Sequence, residues 1–442
     1  MDWQQLLSSK RFGMEAYHDE KKHDRTDFQR DYDRLIFSSP FRRLQNKTQV
    51  FPLPGSVFVH NRLTHSLEVS CVGRSLGEKT GRSLAEKYPD STACFSEIGS
   101  IVSAACLAHD LGNPPFGHSG EKAISTYFSE GKGKYLLTQI KEEKGRPSDF
   151  VQFEGNANSF RLLTHQFNGR REGGFALTYS TLASVVKYPY SSELAGSKGK
   201  FGFFATEETS YIRIAHGLGI LPLSESPTCY VRYPLVYLVE AADDICYQIM
   251  DIEDAHKLKL LTTKDTINLL LQFFSKERQI YILQIMQMVD DVNEKIAYLR
   301  SSVIGLLIDE CCRVFLEYEH EILQGIFSGS LIDHISTTPC EAYRNCADLS
   351  VEKIYRAQDV LDIELAGYRI INFLLETFID AKLHPEHAYS KLLLRSFPEQ
   401  FSSSENTVYA KVQSVIDYVS GMTDVYALDL YRKLTGMNLP AV

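Results

Sequence analysis

Two adjacent polar residues, His109 and Asp110, close an apolar stretch and lead directly into Leu-Gly-Asn-Pro-Pro. Neither an imidazole nor a carboxylate is cheap to bury unless it is paired or bound to a cation. His65, in Arg62-Leu-Thr-His65-Ser-Leu-Glu, and Asp243, in Glu240-Ala-Ala-Asp243-Asp244, offer the same two chemistries elsewhere in the chain. Two imidazoles and two carboxylates suit a hydrated divalent ion (Mg, Mn, Fe, Co, Ni or Zn) with open water positions, rather than a closed structural zinc site. Their spread over roughly 180 residues also separates them from a zinc finger. The pattern reads as a metal-dependent hydrolase.

A second group follows the first. His118 lies eight residues after Asp110, with Glu121 three residues further on. At that helical spacing the two can hydrogen bond, which orients the imidazole and suits it to carry a proton. The same residues also read as a helix start, with Ser119 as cap and Glu121 as a first-turn acid. Asp243, Tyr247 and Asp251 stand at i, i+4 and i+8, one polar stripe flanked by Ala241, Ala242, Ile245 and Ile249. A plainer account of that stripe, with Asp243 capping, Tyr247 packing and Asp251 solvated, stays open at this point.

The elements that must hold these groups are helical. Ser96-Glu97 is expected to cap a helix whose apolar face is Ile98, Ile101, Val102, Ala105 and Cys106, with Gly112 stopping it. His109 and Asp110 then stand where the backbone leaves the helix, the place from which neighbouring side chains can reach one ion. His65 sits on a helix beginning near Asn61, and Asp243 sits mid-helix within 231–257. Segments 265–297, 300–326 and 357–382 repeat the helical pattern. Strand signals are sparse; residues 48–60 predict a small hairpin around Pro54-Gly55. Loop signals gather at 129–148 and 188–203. The reading is an all-α fold with extra C-terminal helices, whose apolar faces serve either assembly or the chain's own core.

Hydrophobic content of 44% is ample for a large core, and no run of eighteen apolar residues predicts a membrane span. The start, Met-Asp-Trp-Gln-Gln, lacks the layout of a signal peptide. Nine cysteines without CxxC pairs suit free thiols in a reducing cytoplasm. A net charge of −9 disfavours a broad nucleic-acid surface and leaves single-stranded nucleic acid a secondary partner at most. A nucleotide needs only local cations, and Arg161, Arg170, Arg171, Lys187, Lys198, Lys200 and Arg213 are the candidates.

As an ordered set these motifs resemble the deoxyguanosine triphosphate triphosphohydrolases of the HD superfamily. The resemblance rests on 41–51 (Phe-Arg-Arg-Leu-Gln-Asn-Lys-Thr-Gln-Val-Phe), Asn61 to Glu68, Ala108 to His118, Phe153-Glu-Gly-Asn156-Ala, and Glu240 to Ile245. It implies an HD-type helical fold over one domain, 1–442, with its core at about 31–256 and a helical part at about 257–442. It also implies hydrolysis of dGTP, or of deoxynucleoside triphosphates more broadly, to the deoxynucleoside and triphosphate. By the same resemblance His65, His109, Asp110 and Asp243 bind the metal, and His118, held by Glu121, is catalytic. Arg62 meets the α-phosphate, and Lys187 and Lys200 hold the outer phosphates. Tyr247 contacts phosphate or sugar, Gln49 and Asp251 read the deoxyribose 3′-hydroxyl, and Asn156 lies on the sugar side. A homo-oligomer is also implied. The chain departs from the family in reading Asn156-Ala157-Asn158 where Asn-Ala-Gln is frequent, and its base-reading residues are not placed. Other phosphohydrolases of the superfamily, or a noncatalytic nucleotide binder on the same fold, are the rival readings.

Overall fold

The computed structural model describes residues 1–17, 24–49, 60–354 and 358–437. The architecture is helical almost throughout, as expected; one short antiparallel pair, Pro222–Glu225 with Thr228–Tyr230, is the sheet among the described residues. The hairpin expected at 48–60 lies mostly outside the described residues. Its first residue, Thr48, and Asn61 just beyond it form an antiparallel bridge.

Three helices carry the centre of the molecule. Arg62–Lys87 starts on a reciprocal cap: the Asn61 side chain accepts from the Thr64 N–H, and the Thr64 hydroxyl accepts from the Asn61 N–H. Ile98–Ala108 lies against it along a stripe of small residues. A Cβ built on Gly77 would stand 2.8 Å from Gly99 Cα, and one on Gly81 2.3 Å from the Phe95 carbonyl oxygen. Only glycine lets the two backbones approach this closely, and the approach brings His65 and His109 together. Val236–Lys257 completes the trio, packing on both.

Two local expectations change. No side chain caps Ile98–Ala108; a single 3-10 turn, Phe95–Glu97, leads into it instead. Gly112 does not stop that helix, which ends four residues earlier. It is needed because its Cα presses on the next layer, where a Cβ would meet the Ser159 nitrogen at 2.1 Å. Likewise the 129–148 stretch encloses the helix Leu136–Glu142 between its glycines.

Two apolar clusters flank the central region. The larger joins the three central helices to Val292–Glu317 through Val303, Leu307, Cys311 and Phe315. The second joins Gly117–Ser129 to Gln358–Leu383 and Val408–Ser420 through Ile124, Phe128, Ile371, Leu374, Phe378 and Val415. The apolar faces of the long C-terminal helices are therefore largely buried within one chain. All nine cysteines are free thiols. No helix of the described residues is long and apolar enough to cross a membrane.

Candidate active site

His109 follows the last turn of Ile98–Ala108 with helical backbone angles, so its ring folds back on that helix. Its Nδ1 lies 2.6 Å from the Cys106 carbonyl oxygen. A carbonyl only accepts, so Nδ1 carries a proton and Nε2 is the nitrogen left to take a ligand. That Nε2 is buried with no hydrogen-bond partner. An orphaned polar atom in the core calls for a ligand. His65 Nε2 lies 3.1 Å and His109 Nε2 3.5 Å from the same oxygen, Asp243 Oδ1. Ligand atoms sharing one ion at about 2.1 Å stand about 3.0–3.4 Å apart, so His65, His109 and Asp243 fit a shared divalent cation.

Asp110 stands beside this trio, its Oδ2 3.6 Å from His109 Nε2. The carboxylate also accepts from Arg62 Nη1 at 2.6 Å and from Asn113 Nδ2 at 2.5 Å. Burial pushes the Asp110 carboxyl up, but Arg62 and the two imidazoles overcome it and hold it at about 2. The opposite balance acts on His109: burial lowers it, while Asp110 and Asp243 raise it to about 9.

From this corner a cavity of about 350 Å³ opens, its apolar lining of Val185, Val236 and Val239 drawn from the larger cluster. It brings together Gln49, Arg62, His109, Asp110, His118, Glu121, Lys187, Lys200, Asp243 and Tyr247. His65 lies beneath it. Asp251 is buried one turn beyond Tyr247 and does not line it.

His118 sits in the first turn of Gly117–Ser129, its side chain about two-thirds exposed. Nδ1 meets Glu121 Oε2 at 3.0 Å. The hydrogen bond and charge of Glu121 raise the imidazole above its ordinary range. Glu121 is anchored from the other side, where Oε1 accepts the Gly155 N–H at 2.9 Å. Ser119 caps nothing, since its hydroxyl donates to Glu364 at 2.9 Å.

The lysines are held by carboxylates absent from the sequence expectations. Lys187 Nζ lies 3.0 Å from Glu240, and Lys200 Nζ 2.8 Å from Glu154. Burial lowers both ammonium groups, and these partners more than restore them above the ordinary lysine range. Asn156 is committed to the backbone leading into the first lysine, donating to the Val185 carbonyl and accepting the Lys187 N–H. The other candidate cations go elsewhere. Arg161 is buried between Glu207 and Asp417, and Arg213 lies against Glu15. Around the cavity six carboxyl groups (Asp110, Glu121, Glu154, Glu240, Asp243 and Asp244, the last pushed up to about 7 by burial) face Arg62, Lys187, Lys200 and the imidazoles of His109 and His118. A bound cation would add positive charge to this mixed lining and favour entry of a polyanion.

Residues 62–172 match the HD domain, and 336–433 match the phosphohydrolase-associated domain. A Synechocystis protein called deoxyguanosinetriphosphate triphosphohydrolase-like is 37% identical over 99% of this chain and 100% of its own. A Pseudomonas aeruginosa protein of the same description is 38% identical over the full length of both. The chain belongs to the deoxyguanosinetriphosphate triphosphohydrolase-like family. A Yersinia enterocolitica deoxyguanosinetriphosphate triphosphohydrolase is 28% identical over 98% of this chain and 99% of its own. As a member of this HD family the chain is a metal-dependent nucleotide phosphohydrolase.

Proposed function

We propose that the chain hydrolyses dGTP, with other deoxynucleoside triphosphates as further candidates, to the deoxynucleoside and inorganic triphosphate. The observation that carries this reading is the buried Nε2 of His109, which has no hydrogen-bond partner. It faces His65 and Asp243 at one end of a cavity whose walls hold Lys187 and Lys200. The relatives' names supply the substrate class, and the whole of 1–442 is taken as one catalytic unit.

His65, His109 and Asp243 would hold the cation, with Asp110 as fourth ligand once it shares its carboxylate with Arg62; Mn and Mg are the first metals to try. Such an ion polarises a phosphoryl oxygen and lowers the pKa of a bound water. The protein's own groups do the rest. Arg62 orients the α-phosphate, while Lys187 and Lys200 leave Glu240 and Glu154 to meet the outer phosphates. Water adds to the α-phosphorus, the bond to the 5′-oxygen breaks, and its electron pair stays on that oxygen. His118 delivers the proton there, with Glu121 keeping the imidazole charged and oriented. Gln49, whose buried Oε1 has no partner among the described residues, would face the 3′-hydroxyl and Tyr247 the sugar ring, with Asp251 behind Tyr247, reaching the 3′-hydroxyl only if the site rearranges on binding. The nine free thiols suit a cytoplasmic enzyme.

The test is incubation with dGTP and Mn²⁺ or Mg²⁺ followed by anion-exchange separation. Deoxyguanosine and triphosphate in equal amounts, lost on chelation, are expected. Pyrophosphate or orthophosphate as the released anion rejects the reading.

A further inference from the structure

Asp424 is the first residue of the helix Asp424–Leu434, in the C-terminal region. A first-turn acid ordinarily points to solvent and complements the helix dipole. Asp424 is buried instead, and the cap of its own helix is already made by Thr423. Its carboxylate turns away to donors outside its helix. Oδ2 accepts the Thr48 N–H at 2.8 Å and the Thr48 hydroxyl at 2.6 Å, and Oδ1 accepts the Phe116 N–H at 2.9 Å. Burying a carboxylate is costly unless such bonds offset it.

Both recipients adjoin the cavity. Thr48 precedes Gln49, and Phe116 lies two residues before His118. Phe116 has φ +63, a left-handed conformation unfavourable for an aromatic residue. Strain of this kind persists only where the surroundings over-determine it. Here the determinants come from the C-terminal region. Besides the Asp424 bond, Glu364 takes the Ser119 hydroxyl, and Gly367 packs so tightly on Phe116 that an added Cβ would stand 3.0 Å from its side chain. Lys47, fully buried, ties the same two parts by donating to the Asn113 and Ser420 carbonyls.

We infer that Asp424 is a positioning residue through which the C-terminal region fixes the Gln49 arm and the His118 arm side by side at the cavity. The inference rests on the proposed reading of Gln49 and His118 as nucleotide-handling groups. The C-terminal region thereby completes the active site of the HD core, without offering a side chain to the chemistry.

The test uses the full chain with Asp424→Asn and Thr48→Val. Asp429→Asn, on the exposed side of the same helix beside Lys433, is the control. Hydrogen exchange is followed in peptides covering 44–49 and 111–122, and kcat and KM for dGTP are measured per bound Mn²⁺. Both variants are expected to exchange faster in those two peptides and to lose about ten- to a hundredfold in kcat/KM, the scale of an ångström-sized misplacement. Mn²⁺ stoichiometry should hold, and the control should match wild type. Unchanged exchange in both peptides overturns the inference, as does faster exchange with kcat/KM within twofold of wild type. Faster exchange spread evenly over the chain overturns it too, because that marks a purely structural acid. If Asp424→Asn fails to fold, Thr48→Val reads the same peptides with the carboxylate kept. A wild type that turns over no deoxynucleoside triphosphate rejects the proposed function alone, and the exchange data still decide the positioning role.

Discussion

Replacing Gly112 by alanine should damage both stability and catalysis, although Gly112 touches neither substrate nor metal. Its Cα faces the start of Gly155–Thr164, and an added Cβ would stand 2.1 Å from the Ser159 nitrogen and 2.3 Å from the Gly155 carbonyl oxygen. Ordinary contact begins near 3.4 Å, so the backbones must part by about 1.3 Å. No flexible side chain is available to absorb the clash. Overpacking of this kind costs roughly 1–3 kcal/mol. The displaced parts matter more than the cost. On one side stand His109 and Asp110; on the other, Gly155 donates the N–H that anchors Glu121 and hence His118. Separating the metal corner from the proton carrier by about an ångström should lower kcat on the order of a hundredfold. Differential scanning fluorimetry and steady-state turnover of dGTP with Mn²⁺ check both effects. A Gly112→Ala protein with a wild-type melting temperature and kcat within twofold would refute the argument.

Four further outcomes follow from the same geometry. His118→Ala should lower kcat by about a hundred- to ten-thousandfold with little change in KM, as loss of a general acid does; undiminished kcat would remove His118 from the chemistry. Glu121 raises the His118 pKa, so the proton-donating form persists to higher pH. Glu121→Gln should therefore shift the basic limb of the kcat/KM profile to lower pH, and an unmoved limb would contradict the pairing. Lys187→Ala and Lys200→Ala should each lower kcat/KM roughly ten- to a hundredfold through lost charge-assisted bonds to phosphate. The exposed Lys198→Ala should not, and equal effects of all three would deny the lysines a special role. Finally, His109 is held at about 9 before metal binds, so a cation taking its Nε2 must displace a proton at neutral pH. Calorimetry in buffers of different ionisation enthalpy should show that release, and weaker binding as pH falls; proton-neutral binding would argue against His109 as a ligand.

Residue types and their order pointed to the metal corner, because His65, His109-Asp110 and Asp243 stand in motifs that are weak singly and specific as an ordered set. Glu121 was legible for the same local reason, standing one turn from His118. The partners of Lys187 and Lys200 were not, since Glu240 and Glu154 meet them only through the tertiary fold. Arg161 illustrates the converse: from sequence a spare cation, in space a buried ion pair. The stripe Gly73, Gly77 and Gly81 repeats every four residues and could have announced a close helix pair. Gly112 misled because a glycine after a helix suggests a cap, whereas here the missing side chain serves packing. Nothing local marks Asp424, whose donors are more than 300 residues away.

The central claim is that water attacks the α-phosphorus of a deoxynucleoside triphosphate between the metal corner and His118. Turnover of dGTP in ¹⁸O-labelled water, followed by mass spectrometry, tests it most directly. One labelled oxygen in inorganic triphosphate, with unlabelled deoxyguanosine, is the predicted result. Label in the nucleoside, or label in pyrophosphate or orthophosphate instead, would contradict it.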